Sequence, residues 1–253
     1  MDSVLSIARI AFIQQLRNRL YLVVLLFGAM ILAASLFLGV LAADQEGRVI
    51  LDLGLAATEV FGLLAALFGS VTLVLEEMES RTIYLILTRP LSRSHYVLGR
   101  ALGLVAAVGT TMGFMAALHW VLLFSKGVEF SPVLILAYGF MLLKVMVMAA
   151  LAMFFSLVSS SAVTSVVITV SIWMLGHFVP ELEFMAAAAR NPVLTACVKV
   201  LGWTVPNLGL LNVRDLLAAS LPAGMGWWGA GYACAYSAAC LALTMAVFSR
   251  KEF

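Results

Sequence analysis

Six long apolar runs, separated by short charged or polar segments, dominate this sequence of 253 residues. Hydrophobic residues make up 64% of the chain and charged residues only 11%, which is far more apolar than an ordinary soluble domain. Each run approaches the roughly 20 residues that a helix needs to cross the hydrocarbon core of a bilayer. The sequence therefore predicts an all-α fold, a polytopic membrane bundle of six transmembrane helices in one domain, residues 1–253. The predicted spans cover about residues 20–43, 53–75, 101–124, 133–158, 162–179 and 226–248.

The residues before the first span have a different pattern. Apolar side chains recur at helical spacing as far as Leu16, whereas Arg9, Arg17 and Arg19 lie on the other side. This pattern predicts an amphipathic helix over residues 1–19 that lies in the membrane interface, and its basic residues favour an anionic leaflet. A helical extension of the first span, without a role of its own, is the alternative.

The longest segment outside the spans, residues 181–225, precedes the last span. Asn191-Pro192 divides it, and the stretches on either side, residues 184–189 and 193–203, each favour a helix. The segment therefore predicts short amphipathic or re-entrant helices that close the outer end of the bundle. A surface loop without function is the alternative. The tryptophans that suit a membrane–water boundary here are Trp203, Trp227 and Trp228.

The segment between the second and third spans is the longest charged interruption of the apolar sequence. Glu77 precedes Arg81 by four residues, which is the favourable orientation for an ion pair along a helix. Pro90 ends that helix, and Ser92 or Ser94 can cap the next one. The pattern predicts a short helix at the membrane surface, a kink, and a second helix that returns into the lipid. The short helix offers an apolar edge to a partner in the adjacent water, formed by Ile83, Ile86 and Leu87.

The distribution of positive charges orients the chain in the membrane. Nine of the fifteen Lys and Arg residues fall on the side that holds both termini and the segment between the second and third spans. Five fall on the other side, and Lys144 lies within a span. The sequence therefore predicts a multi-pass protein of the inner (cytoplasmic) membrane, with both termini and that segment in the cytoplasm.

Two ionisable residues lie inside predicted spans: Glu59, about two turns from the outer end of the second span, and Lys144, near the middle of the fourth. Charged groups in hydrocarbon are costly and usually face a bundle interior or a water-filled cavity. Two interpretations are open at this point. Either these residues line a polar part of a substrate route or a subunit interface, or each extends to the interface or pairs with backbone without a functional role. His119 and His177 each occur singly near predicted span ends, where an interfacial or hydrogen-bonded role is expected.

The motifs of common catalytic sites are missing from the sequence. None of its four lysines follows a glycine, which excludes a Walker A motif, and neither HExxH nor Gly-x-Ser-x-Gly occurs. The three cysteines form no paired framework, so no metal site is expected. We therefore expect that the chain is not an enzyme, binds no cofactor itself and has no nucleic-acid partner.

The charged segment after the second span and the start of the third span form one pattern, made by Glu77, Arg81, Thr82, Leu87, Arg89, Pro90, Leu91, Ser92, Arg93, Leu98, Gly99 and Arg100. This pattern resembles the cytoplasmic loop of ABC type-2 transporter permeases. Permeases of that family have about six spans, an N-terminal interfacial helix, a coupling helix between the second and third spans, and outer helices before the last span. All four features are predicted here in the same order, so the resemblance covers the whole chain.

The resemblance implies the transmembrane permease subunit of an ABC transporter, expected to be an exporter, which forms the substrate pathway and couples it to ATP hydrolysis. Two permease subunits, identical or paralogous, would work with two separately encoded cytoplasmic ABC ATPase subunits that bind ATP and Mg. The competing class, a membrane scaffold or membrane-embedded enzyme without a motor, leaves the charged loop without a purpose. The coupling loop, residues 76–93, would contact the ATPase through Glu77, Arg81, Thr82, Ile83, Ile86, Leu87, Arg89, Pro90 and Arg93.

Overall fold

The computed structural model describes residues 2–41, 45–79, 92–128, 131–159, 161–189, 191–212 and 225–250. Within these ranges nearly every residue is helical, and no β-strand occurs. The elements in chain order are α1 (Asp2–Arg17), α2 (Arg19–Leu41), α3 (Glu46–Glu79), α4 (Arg93–Ser125), α5 (Pro132–Val158), α6 (Ala162–Ala188), α7 (Pro192–Thr204), a 3-10 turn (Leu208–Leu211) and α8 (Met225–Arg250).

Six of these helices are long and apolar enough to cross a membrane, which confirms the prediction of an all-α, six-span bundle. A helix suits this role because it satisfies its own backbone hydrogen bonds in lipid. The candidate spans are Tyr21–Val40, Glu46–Leu73, Arg93–Ser125, Pro132–Val158, Ala162–Ala188 and Trp227–Arg250.

Helices α3 and α5 form the centre of the bundle. Helices α2 and α4 pack on α3, while α6 and α8 pack on α5. Small buried side chains such as Ala65 and Ala149 line these contacts and allow the helices to approach closely. The Ser70 hydroxyl of α3 also donates to the Ala149 carbonyl of α5 at 3.3 Å. The two most buried helices are therefore joined by both packing and a hydrogen bond.

The bundle has two ends, which we name by their connections. The loop end contains the end of α3 at Glu79, the start of α4 at Arg93 and the end of α8. Most of the coupling loop lies between Glu79 and Arg93, outside the described residues. The far end holds the α2–α3 and α4–α5 connections and α7. At the far end the Lys126 ammonium lies 2.5 Å from the Glu46 carboxylate and joins the end of α4 to the start of α3.

The second span begins earlier than the sequence predicts. Residues 44–52 read as a polar loop, but α3 already begins at Glu46. The reason is tertiary: Ile50 is fully buried, and a Cβ at Gly39 of α2 would lie 3.0 Å from its side chain. The Ile50 carbonyl is also 3.1 Å from Nε2 of the fully buried His119, whose Nδ1 lies 2.5 Å from the Tyr138 hydroxyl. His119 thus has the hydrogen-bonded role expected of it.

The fifth span is longer than predicted. Pro180 was expected to end it, but α6 continues through Pro180 to Ala188. A proline inside a membrane helix removes one backbone hydrogen bond and is tolerated where neighbouring elements pack against the site. Here the 3-10 turn supplies that neighbour, since a Cβ at Gly209 would lie 2.9 Å from Pro180 Cγ. Residues 184–189, predicted as a separate outer helix, are therefore mostly the last turn of α6, whereas α7 begins after Asn191 as expected.

Candidate functional site

A cluster of three ionisable side chains lies among α3, α5 and α6. The Lys144 ammonium donates to Glu59 Oε1 at 2.8 Å. The His177 Nε2 atom lies 3.4 Å from the same carboxylate oxygen and 3.3 Å from the ammonium. The side chains of Lys144 and Glu59 are only 2% and 10% exposed, while that of His177 is 26% exposed. We call these three residues the midspan cluster.

The hydrogen bonds of His177 decide how its ring joins the cluster. Its Nδ1 atom lies 2.9 Å from the backbone carbonyl of Trp173, one turn earlier on α6. A carbonyl only accepts, so Nδ1 carries a proton. In a neutral ring Nε2 is then the acceptor and receives a hydrogen bond from Lys144, whereas a protonated ring donates to Glu59 instead. The ring can therefore remain bonded within the cluster in either protonation state.

Each member of the cluster lies near the middle of its candidate span. Glu59 lies within about one turn of the middle of α3, Glu46–Glu79, and Lys144 and His177 hold similar places in α5 and α6. The structure thus corrects two sequence interpretations. Glu59 is deeper than two turns because α3 begins early, and His177 is not near a span end because α6 passes through Pro180.

The buried charges pair with each other. The sequence left open that Glu59 and Lys144 each extend to the membrane interface or pair with backbone. The structure shows neither arrangement, because a direct ion pair joins the two side chains. A lone buried charge is strongly unfavourable in hydrocarbon, while a hydrogen-bonded pair satisfies both groups. The pair also ties α6, through His177, to the two central helices. This tie matters because few residues of α6 are buried: Ser165, Thr169, Gly176, Val179 and Ala186.

The cluster has the chemistry of a polar contact. It offers one carboxylate, one ammonium and one imidazole. Among the described residues, no group of three or more His, Cys, Asp and Glu side chains could hold a metal ion. The arrangement can bind a polar or charged group, or it can break and re-form when α6 moves against α3 and α5.

A second group of contacts surrounds the ends of the coupling loop. The Arg93 guanidinium donates to the carbonyls of Phe248 and Ser249, at 3.2 and 3.1 Å. These carbonyls lie in the last turn of α8, where no further helical N–H is available to them. The Tyr96 ring stacks on Phe248 with centroids 5.8 Å apart. The start of α4 and the end of α8 are therefore joined at the loop end.

Helix α1 packs on the same part of α4. A Cβ at Gly99 would lie 2.7 Å from the Ile7 side chain, and one at Gly103 would lie 2.5 Å from the Ala8 carbonyl. Any larger side chain at these two positions would clash with α1, so the glycines allow the two helices to approach closely. The Arg100 guanidinium, which is 5% exposed, donates to the Gln14 side chain at 2.8 Å. Thus α1 is packed along α4 and is not an extension of α2.

Arg93 is the one residue of the predicted coupling contact whose side chain the structure describes. Its guanidinium is hydrogen-bonded to the end of α8. Next to it, Ser92 caps α4 by accepting from the His95 N–H at 3.3 Å. Glu77 lies on the last turns of α3, with its side chain outside the described residues. The other residues predicted for the contact, which also lie outside the described residues, are Arg81, Thr82, Ile83, Ile86, Leu87, Arg89 and Pro90. The assignment of these residues to an ATPase contact stays a prediction.

Sequence reasoning missed the part that His177 plays. Glu59 and Lys144 stood out because charges are rare in spans, but their mutual contact joins residues 85 positions apart. His177 belongs to a helix that was predicted to end nearby, so no local spacing linked it to either partner. The buried Arg100 and its partner Gln14 were missed in the same way, because 86 positions separate them. Only the packing of helices that are distant in sequence brings these groups together.

Comparison with known proteins agrees with this architecture. Residues 5–253 match the model of a family described as ABC-2 family transporter protein. The probable ABC transporter permease protein NosY of Stutzerimonas stutzeri is 29% identical over 232 residues, which is 85% of this chain and 80% of that protein. The probable ABC transporter permease protein NosY of Pseudomonas aeruginosa is 34% identical over 146 residues, 55% of this chain and 52% of that protein. With six apolar spans and a family match over almost its whole length, the chain belongs to the ABC-2 family of transporter proteins as a multi-pass membrane permease subunit.

Proposed function

We propose that the protein forms the substrate pathway of an ATP-driven exporter and receives the motion of a separate cytoplasmic ATPase through the coupling loop. The observation that carries this proposal is the joining of three elements around the loop. Arg93 holds the end of α8, and Gly99 and Gly103 hold α1 against α4. A force applied to the coupling loop at the start of α4 would act on α1, α4 and α8 together.

The energetic requirement on such a contact is small. Closure of the ATPase takes place in water, whereas opening of a route takes place in lipid, so a rigid element has to connect the two. If the loop binds the two states of the ATPase with affinities that differ by a few kcal/mol, the equilibrium of the permease shifts accordingly. The short helix predicted within residues 76–93 would provide this differential binding.

The proposed assembly contains two ATPase subunits and a second permease, either the same chain or a paralogue. One permease with one coupling loop serves one ATPase, and the family resemblance implies that the ATPases close as a pair. Helices α2 and α6 support this proposal because both present large exposed apolar side chains. Phe37 is 77% exposed, Val163 70% and Val167 56%. These faces are available to a second permease and to lipid.

The midspan cluster is proposed to line the route. Ionisable groups within a membrane usually face a bundle interior or a wet cavity. Glu59 and Lys144 are buried in the bundle, while His177 retains 26% exposure and leads from the buried pair to the surface of α6. A shift of α6 would open the contact of His177 with the pair and present polar groups near the centre of the membrane.

The proposed orientation has both termini and the loop end in the cytoplasm, in the cytoplasmic membrane. Gln45 at the far end and Ser94 at the loop end are both exposed, so single cysteines at these positions suit a labelling experiment. In a variant lacking the three native cysteines, a membrane-impermeant thiol reagent added outside the cell should label position 45 and leave position 94 unlabelled. Labelling of both positions from the same side would contradict the orientation and the coupling assignment with it.

The coupling contact is tested by Arg81→Glu. The substitution places a negative charge beside Glu77, but an exposed helical ion pair contributes only about 0.2–0.5 kcal/mol, so membrane insertion should be unchanged. Docking should be lost, because a misplaced helix would no longer seat its apolar edge on the ATPase. We expect the variant to insert into the membrane normally and to co-purify with much less ATPase. ATP hydrolysis by the remaining complex should be uncoupled from transport.

Arg48→Glu is the matched control for this experiment. Arg48 is exposed on the first turn of α3, at the far end, and its reversal changes the net charge by the same amount. It should leave ATPase binding and coupling intact. Normal transport by Arg81→Glu, or an equal loss in Arg48→Glu, would refute the role given to the coupling loop. Absence of any bound ATPase from the wild-type protein would instead favour the scaffold class.

A further inference from the structure

A cavity of about 770 Å³ opens at the joint between α1 and α2. Its lining combines basic, amide, hydroxyl and apolar groups. The residues used in the argument below are Ile10, Ile13, Gln15, Arg17, Arg19 and Thr72. None of them belongs to the midspan cluster or to the coupling loop, so the cavity is separate from both.

Three polar side chains of this cavity, those of Gln15, Arg17 and Arg19, have no partner among the residues that the structure describes, whereas Gln14 accepts from Arg100 and Thr72 donates to the Gly69 carbonyl. Arg17 and Arg19 are exposed, and neither makes an ion pair or a side-chain hydrogen bond with any residue that the structure describes. Gln15 is only 1% exposed, yet its side-chain amide also has no hydrogen-bond partner among the described residues. Two guanidinium groups and one amide therefore offer donors to a ligand that carries several acceptor oxygens.

The cavity lies at the level where the apolar spans begin. Arg17 and Arg19 lie directly before the apolar run that begins at Leu20, and Thr72 lies near the end of the apolar run that stops at Leu75, before Glu76. This is the depth at which phospholipid headgroups lie, because the hydrocarbon core covers the apolar spans. A ligand in the cavity thus meets the guanidinium groups at the polar boundary of the membrane.

An exposed apolar stripe continues from the cavity along α2. Leu22, Leu26 and Met30 follow one another at intervals of four residues and therefore share one face of the helix. They are 53%, 58% and 55% exposed. Within the cavity itself, Ile10 and Ile13 of α1 add apolar surface beside the two arginines. The site thus has guanidinium groups where the headgroup of a phospholipid would lie. An extended apolar surface follows where its acyl chain would lie.

We propose that the cavity at the α1–α2 joint binds the phosphate-bearing headgroup of an anionic phospholipid. Arg17 and Arg19 contact the phosphate, for which the planar guanidinium is well suited because it donates two hydrogen bonds at once. The Gln15 amide donates to an oxygen of the headgroup, and an acyl chain lies along the stripe that begins at Leu22. Free phosphate shares the headgroup chemistry, but the apolar surface of the cavity and its continuation along α2 favour the lipid.

Lipid retention by the purified full-length protein tests the proposal. The protein is exchanged into detergent micelles that contain equal amounts of phosphatidylglycerol and phosphatidylcholine, and bound lipid is counted by native mass spectrometry. Wild type should retain phosphatidylglycerol preferentially. Arg17→Ala/Arg19→Ala should retain about tenfold less, because each arginine at a membrane surface contributes attraction to anionic lipid. Arg17→Lys/Arg19→Lys should keep part of the binding.

The control removes two positive charges elsewhere. Arg9→Ala/Arg48→Ala changes two exposed arginines that do not line the cavity, so it should retain phosphatidylglycerol as wild type does. An equal loss in this control would show diffuse electrostatic attraction and overturn the site. Equal retention of the two lipids by wild type would do the same. Displacement of the lipid by an equal concentration of inorganic phosphate would assign the cavity to free phosphate and contradict the lipid. An unchanged melting temperature of Arg17→Ala/Arg19→Ala confirms that any loss is local.

Discussion

Glu59→Leu and Lys144→Met, made singly, are each expected to destabilise the protein by about 3–5 kcal/mol, because each removes the oppositely charged partner of a buried group and leaves that group only the His177 ring. The side chains of Lys144 and Glu59 are only 2% and 10% exposed, and the ammonium bonds the carboxylate at 2.8 Å. A residue that loses its partner therefore keeps a charge that water hardly reaches. The double variant should recover most of this loss, since well-packed apolar side chains of similar volume can replace a buried ion pair at little cost. Thermal unfolding of the purified protein in detergent measures all three.

The double variant also separates stability from function. If the cluster lines the route, the protein with Glu59→Leu/Lys144→Met should fold and bind its ATPase but fail to transport. If the pair only holds the helices together, stability and transport should return together. Glu183→Leu and Lys199→Met serve as controls of the same chemistry at exposed positions near the far end. Single variants of Glu59 and Lys144 no less stable than these controls would contradict the buried pair.

Gly103→Ala is expected to destabilise the protein by about 1–3 kcal/mol, the usual effect of adding a methyl group to a tightly packed contact. Its Cβ would lie 2.5 Å from the Ala8 carbonyl and 2.6 Å from the Ala11 Cβ. Backbone cannot rotate away as a flexible side chain can, so α1 has to separate from α4. Hydrogen exchange should then increase in α1, and ATP hydrolysis should become less well coupled to transport, because α1 no longer moves with α4.

Gly113→Ala is a control on the same helix. Apart from its chain neighbours and the nearby backbone of α4, no atom of the described residues lies within 4 Å of the position that its Cβ would take. Alanine is more favourable than glycine inside a helix by about 0.8–1.0 kcal/mol, so this variant should be slightly stabilised. The two substitutions thus have opposite expected signs, although they make the same chemical change in one helix. The same change in stability for both would mean that α1 does not pack on Gly103.

The sequence by itself determined the features that depend on the length and polarity of a local stretch of chain. The six spans could be predicted because a bilayer requires a long apolar run for each helix, and that requirement holds whatever the helices pack against. The capping of α4 by Ser92 was within reach for the same reason, since a cap involves only neighbouring residues. The loop residues from Glu77 to Arg100, together with the order of the spans and of the helices outside them, indicated the ABC-2 family, which the match over residues 5–253 then confirmed.

The tertiary structure decided which of these local features meet. Nothing in the chain distinguishes Gly103 from Gly113, yet only the first lies against another helix. Pro180 could not be recognised as part of α6, because the turn that packs against it lies 29 residues later. Glu59, Lys144 and His177 belong to three different helices, and a contact between them depends on how those helices rotate and cross. The pairing of these buried charges is a property of the packed bundle, since the attraction between opposite charges becomes large only when water has been excluded from both groups.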